Sequence, residues 1–430
     1  MKTPKRIVII SFDAMGSKDL SFMNSLPNFQ KFMNRAAICE HVVSVYPSVT
    51  YPAHTSIITG RTPNNHGVVN NTLLQPGRTS PDWMWHRKYI KGTTLYDEAI
   101  KKGWRVASLL WPVTARSRIQ FNVPEIFSNR PWQNQVVVSA FNGSFSYQLE
   151  LNRKFGTLLD GISQPALDNF VHASTLYTID KYHPDMLLVH FTDVDTNRHI
   201  YGVRHVKVEE AIRRHDKRLG NILEHLAKLG NIEDTTIVLL GDHYQKDTFV
   251  AVHLNQLLRE KGLLSVKHNK IVKYHVIAKN CDGSCYLYRN PKSIGKTEID
   301  RKLAEVLTII AKEAKYGAAH IYSASEAGSM GADDTCAAMI EARDGYYYVD
   351  ELERKPESMA CKKSGGIKAT HGYLPYQSDY QTFFMMMGCG VREGAKIERM
   401  HLWDEGATLA KLLNFDLGEI DGNVIEDFLE

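Results

Sequence analysis

Short runs of β-branched and other apolar residues recur along the chain, each set off by a stretch with helical periodicity, and this alternation constrains the fold more than any other feature. An apolar run at residues 6–12 leads to a helix-like stretch at 27–37 and then to a strand-like run at 39–46. A helix near 94–102 precedes a strand at 105–110, and a helix near 166–181 precedes a strand at 186–191. The segment 206–229 places Ile212, Leu219, Ile222, Leu223, Leu226 and Leu229 on one helical face. Runs at 235–240 and 381–387 add two further buried strands. Strands that alternate with helices specify an α/β fold whose central sheet is mostly parallel and covered by helices on both faces.

Between residues 263 and 368 the rhythm loosens into short β-like pieces at 286–288 and 346–349 and a helix near 298–314. A smaller α+β cap inserted at 263–368 is therefore expected, with 1–262 and 369–430 forming the core. A lesser insertion is expected at 122–161, where aromatic and amide residues mix without a clear period. A chain of 430 residues, 43% of them hydrophobic, can bury a core of this size. Its apolar runs fall far short of the roughly 20 residues that span a bilayer. The basic residues at 1–6 precede an apolar run too short for an export signal, so a cytoplasmic, membrane-free protein is expected.

The six cysteines are scattered, and Cys281 and Cys285 have no second pair at a finger-like spacing, so reduced thiols are expected rather than staples or a structural zinc. Net charge is +4, from 52 basic and 48 acidic residues, with no long basic block. That argues against a nucleic-acid polymer as partner and is compatible with an anionic substrate. The oligomeric state is left open.

Acidic and imidazole residues fall just beyond the strands. Asp13 follows the run at 7–12, Asp195 and His199 follow 186–191, and Asp242 and His243 follow 236–240. In an open α/β sheet, ligands gather beyond the carboxyl ends of the strands, so these groups converge on one edge. His371 lies ahead of the strand at 381, in a loop that can return to that edge. Each residue alone reads as a cap, a turn or a surface pair, and the inference rests on their joint placement. Three aspartates and three histidines form a mixed N/O donor set suited to zinc or another borderline divalent ion, and large enough for two. Thr50 precedes a helix-like stretch, where backbone N–H groups and the helix dipole favour an anion; the alternative role there is an N-cap. A threonine hydroxyl becomes a useful nucleophile only with a base or metal beside it.

These residues resemble the nucleotide pyrophosphatase/phosphodiesterase family of the alkaline phosphatase superfamily, to which phosphonoacetate hydrolase is related. The matching pieces are Ser11-Phe12-Asp13, Thr50-Tyr51-Pro52-Ala53-His54, the stretch from Gly60 to Gly67 with Asn71, Asp195 to His199 with Tyr201-Gly202, Asp242-His243 and Thr370-His371-Gly372. The resemblance implies an alkaline-phosphatase-like fold and two divalent ions, with zinc expected and manganese or iron as alternatives. It implies that Asp195, His199 and His371 hold one ion, and that Asp13, Asp242, His243 and the Thr50 oxygen hold the other. Asn71 looks like the family asparagine that donates to a non-bridging phosphate oxygen. The implied reaction is attack of Thr50 on phosphorus, a phospho-threonine intermediate, and its hydrolysis, with the backbone N–H at the helix start also facing the phosphate.

The match departs from the family at the substrate. The aromatic pair that stacks on a base is represented by Tyr51 and His190, the latter in place of the usual tyrosine. Asp242-His243 is followed by Tyr244 instead of glycine, and Asp193 adds a carboxylate near the site. Tyr51, His190, Asp193 and Tyr244 are thus the expected substrate contacts; for a small phosphonate or phosphomonoester, Lys270, Lys273, Lys279 and Arg343 of the cap are candidate clamps, with solvated surface as their alternative role. The leading expectation is hydrolysis of a phosphodiester or pyrophosphate. The alternatives are a hydrolase of a small phosphonate or phosphomonoester, and a catalytically silent metal-binding sensor of a phosphorylated ligand.

Overall fold

A computed structural model describes residues 2–78, 80–230, 232–268, 270–352 and 366–430. Part of the expected cap, including Cys361, lies outside the described residues.

The central sheet has nine strands. Its principal members are β1 (Arg6–Phe12), β2 (Ala37–Val43), β3 (Val106–Leu109), β4 (Phe121–Val123), β5 (Met186–Phe191), β6 (Thr235–Leu240) and β7 (Thr382–Gly388). They lie in the order β2-β7-β6-β1-β5-β3-β4, with the short strands Lys396–Ile397 and Met400–His401 beside β2. β1 pairs in parallel with β5, Ile7 opposite Met186, and with β6, Ile7 opposite Thr236. β7 is antiparallel to both β6 and β2.

Strands buried on both faces explain why the runs read as nearly continuous apolar sequence instead of alternation. Along β1, Ile7 and Ile9 enter one core layer while Val8, Ile10 and Phe12 enter the other. The first layer is shared by α1 (Thr50–Thr59) and α6 (Leu402–Leu413), which pack on each other. The second is covered by α5 (Val206–Lys228), whose Ile212, Leu219, Ile222 and Leu226 are buried as the periodicity requires, and by the helix Ala166–Tyr182. Between β4 and that helix lie α2 (Gln135–Asn142) and α3 (Phe145–Phe155), and after β5 comes α4 (Asp193–Tyr201).

The chain leaves the central sheet after β6 and returns in β7. In between, Val276–Asn280, Ser284–Arg289, Ala338–Ala342 and Ala318–Tyr322 form a four-stranded antiparallel sheet with a core of its own. The departure comes earlier than residue 263. Lys246–Val252, which follows β6 closely enough to read as core, pairs instead with Gly345–Tyr348 and Ala369–Thr370. Among the described residues no helix is long and apolar enough to cross a membrane, and the five described cysteines are free and buried.

Candidate active site

Because β1, β2, β5 and β6 run in one direction, their carboxyl ends share an edge, and the antiparallel β7 starts from it. That polarity gathers residues scattered from 13 to 371. Asp13, Asp242 and His243 form one cluster and Asp195, His199 and His371 a second, the ligand atoms of each lying within 4.8 Å of one another. The clusters adjoin: the His243 and His371 rings are 4.2 Å apart. Asp195 and His199 sit four residues apart on α4, which puts both on one helix face, with Asp195 Oδ1 3.2 Å from His199 Nε2. Gly372 adopts φ +86, and a Cβ there would strike the Cys281 carbonyl, so only glycine lets the loop carry His371 this close to the inserted layer.

Thr50 is the first residue of α1, with Val49 as N-cap and no side-chain capping bond, so the N-cap role is not the one it fills. Its Oγ1 lies 3.1 Å from His243 Nε2. His54, one turn on, holds this end of the helix through its ring: Nδ1 bonds the Thr50 carbonyl at 2.9 Å, and Nε2 meets Ser11 Oγ at 2.9 Å. Asn71 Oδ1 accepts the Tyr51 N–H at 2.8 Å, so this N–H of the helix start is committed to Asn71. The Asn71 Nδ2 group has no protein partner among the described residues and remains as the donor.

Both clusters fit cations. Asp13 Oδ1 and Asp242 Oδ2 are buried and accept no hydrogen bond, a costly state for carboxylate oxygens unless a positive charge compensates it. Burial, then repulsion from Asp195, pushes the Asp13 carboxyl up to about 7 despite His190. Burial, then Asp13, pushes Asp242 well above the carboxylate range. Burial and the neighbouring His371 keep His243 neutral, the form that ligates. Burial opposes a proton on His199, but Asp195 outweighs it and raises the ring to about 9. His199 Nδ1 donates to the Ala369 carbonyl at 2.8 Å, which turns Nε2 toward Asp195.

The expected substrate contacts are corrected. Asp193 is fully buried and bonded by Arg214 at 2.7 Å and Arg218 at 3.1 Å, so it pins α4 to α5. Tyr244 turns away from the clusters and lies under the Arg198 guanidinium at 4.4 Å, above Tyr380. His190 is buried between two carboxylates, with Nε2 3.1 Å from Asp13 and Nδ1 3.3 Å from Glu125. Tyr51 is also fully buried, packed edge-on against Trp83 with its hydroxyl on the Glu125 carbonyl. Of the cap cations, Lys279 is buried against Asp350 and Arg343 bonds the Ala318 carbonyl.

Sequence reasoning missed Glu125, Gln245 and Glu341. Gln245 Nε2 donates to Asp195 Oδ1 at 2.5 Å, and its only signal is adjacency to Asp242-His243. Glu341, in the inserted sheet, accepts from Tyr46 Oη at 2.8 Å and from Leu374 N–H at 2.9 Å, tying together the loops that carry Thr50 and His371. Burial raises its carboxyl to about 8. A raised folded value means the proton is favoured in the fold: the stability it brings is complete below about 4.5 and is lost as pH climbs through 8. Glu341→Gln keeps one acceptor and one donor, so it is expected to gain on the parent between pH 5 and pH 9 by on the order of a few kcal/mol. Denaturant melts across that range measure the difference.

The family model for type I phosphodiesterase/nucleotide pyrophosphatase matches residues 7–374, from β1 through the His371 loop. The chain belongs to this family. Among curated proteins, ectonucleotide pyrophosphatase/phosphodiesterase family member 3 of Bos taurus is 23% identical over 255 residues, 56% of this chain and 25% of that protein. An uncharacterized pyrophosphatase/phosphodiesterase of Schizosaccharomyces pombe is 24% identical over 247 residues, 55% of this chain and 44% of that protein. The aligned part thus spans about a quarter to under half the length of these relatives. Among solved structures, murine ectonucleotide pyrophosphatase/phosphodiesterase 5 superposes with a TM-score of 0.67 at 16% identity, covering 99% of this chain and 100% of that one. An inactive threonine-to-alanine form of that murine protein, in complex with AMP, gives 0.66. These superpositions establish an alkaline-phosphatase-like α/β fold for this member of the type I phosphodiesterase family.

Proposed function

We propose that this protein hydrolyses phosphodiester or pyrophosphate bonds through a phospho-threonine intermediate on Thr50. The observation that carries this reading is the hydroxyl of Thr50, at the start of α1, lying 3.1 Å from His243 where the two clusters meet. Asp195, His199 and His371 would hold one divalent ion and Asp13, Asp242 and His243 another. The equal mix of imidazole and carboxylate favours zinc. Such ions neutralise phosphoryl charge and lower the pKa of a nearby hydroxyl.

Thr50 Oγ1 attacks phosphorus in line as the bond to the leaving oxygen breaks, giving the phosphoryl-threonine that water then cleaves. Asn71 Nδ2 donates to a non-bridging oxygen, its orientation fixed by the bond its Oδ1 accepts from Tyr51. His190 acts through Asp13: held by Glu125 on one side, it anchors the carboxylate on the other. His190→Asn is expected to weaken the cation site at Asp13 by roughly 10–100-fold. Competition against a metal-sensitive dye reads this without reference to turnover.

One observation favours a smaller substrate. Tyr51 and His190 are both fully buried, so neither offers a ring face to a nucleobase. A small phosphonate or phosphomonoester is therefore the second reading. Zinc-loaded protein tested on bis-p-nitrophenyl phosphate, p-nitrophenyl thymidine monophosphate, p-nitrophenyl phosphate and phosphonoacetate separates these. Preference for the diesters supports the proposal, and preference for phosphonoacetate or the monoester replaces it with the second reading. Absence of turnover on all four, with metal bound, leaves a phospho-ligand sensor.

A further inference from the structure

The hairpin of α2 and α3 takes no part in the site, yet its composition is unusual. From residue 131 to 149 the chain has no Asp, Glu, Lys or Arg. One side of α3 is accounted for, since Tyr147 and Leu151 enter the core. On the opposite side Phe145 and Leu149, one turn apart, face solvent. On α2, Val138 packs inward while Val136, Val137 and Phe141 remain 56%, 51% and 73% exposed. Trp132, just ahead of α2, is 80% exposed. With aromatic side chains offering 150–250 Å² each, these six residues leave on the order of 600 Å² of apolar surface in water. That is the upper limit of the largest patch on a typical monomer, roughly 300–600 Å². With its amide and hydroxyl neighbours, it approaches the roughly 800 Å² that a standard interface takes from each partner.

We propose that this hairpin is the surface through which two copies of the chain pair about a two-fold axis. Charge decides the occupant. Across a two-fold axis a patch meets itself, so any charged residue near the axis faces its own like charge; a neutral patch carries no such penalty. Interface cores of homodimers are depleted in charge and enriched in aromatic residues, as this one is. An anionic membrane or a nucleic acid would call for free lysine or arginine across the patch; 131–149 has none, and the arginines that border it are engaged, Arg116 with the Asn142 side chain and Arg130 with Asp82.

Sedimentation velocity of the full chain at tens of micromolar tests the proposal, with Phe141→Lys and Trp132→Glu run beside it. The expected result is a species of twice the chain mass for the parent and of single mass for both variants, with circular dichroism and phosphodiester turnover per chain retained. Should Phe141→Lys fail to fold, Trp132→Glu decides, because that residue precedes the helix and supports no buried contact in the core. A parent that stays monomeric overturns the proposal, and so does a dimer that survives both substitutions. Flotation of a monomeric parent with phosphatidylcholine vesicles would assign the patch to a lipid surface instead.

Discussion

Thr50→Ala is expected to abolish hydrolysis, lowering kcat by about ten-thousandfold or more, the scale on which removal of a nucleophile acts. The fold should hardly register the change. Thr50 is the first helical residue of α1 and not its cap, alanine is a good helix former, and the lost contact is one hydroxyl near a histidine. The loss of stability should therefore stay within about 1 kcal/mol. The diagnostic combination is absent turnover with both cations still bound, measured by elemental analysis of the dialysed variant. If Thr50→Ala kept a tenth of the parent rate, an external water would be the attacking group and the covalent intermediate would fall.

Asp242→Asn is expected to reverse its effect on stability according to whether cations are present. Asn keeps an oxygen for the Ala14 N–H, which the carboxylate accepts at 3.1 Å. It removes an ionisable carboxyl whose other oxygen is buried without a donor and faces Asp13 across the cluster. In chelator-treated protein the buried carboxyl must either hold an uncompensated charge or take up a proton, and Asn removes that cost, so the variant should melt above the parent, by on the order of 1–3 kcal/mol. With zinc in thousandfold excess over its dissociation constant, the parent gains about 4 kcal/mol per site. The variant forfeits most of that at one site and should melt below the parent. Calorimetric scans of both proteins with and without zinc show the crossing. A variant less stable under both conditions would mean that Asp242 is satisfied by the protein alone, and the cation assignment of that cluster would fail.

The two clusters are legible in the sequence because topology does the sorting. A parallel sheet sends the carboxyl ends of its strands to one edge, so an Asp or His just past each run is placed by the run itself, as Asp13 and Asp242 are. His371 was the weakest reading, since the direction of β7 cannot be seen in its apolar sequence; its antiparallel pairing starts that strand at the site. The substrate contacts failed for a related reason. Asp193 and Asp195 are two apart on a helix, which turns them to different faces, and one reaches Arg214 while the other reaches His199. Tyr244 follows His243 directly and was placed by adjacency, but the ring of Arg198 contacts drew it away. Glu125 and Glu341 left no local trace. Their partners lie 65 and 295 positions distant in sequence, counting Glu125 to His190 and Glu341 to Tyr46, and such pairings are set by packing, not by pattern.

The reversed direction of β7 has one more consequence. Because the chain departs from the sheet after β6 and rejoins it through β7 at the same edge, the insertion begins and ends beside the two clusters, like a tool head on a fixed shaft. Its length can change without disturbing the register of a single central strand. A lineage with this architecture can trade substrates by rewriting the inserted residues, provided it keeps Glu341, which ties the loops of Thr50 and His371, and Ala369, whose carbonyl orients the His199 ring.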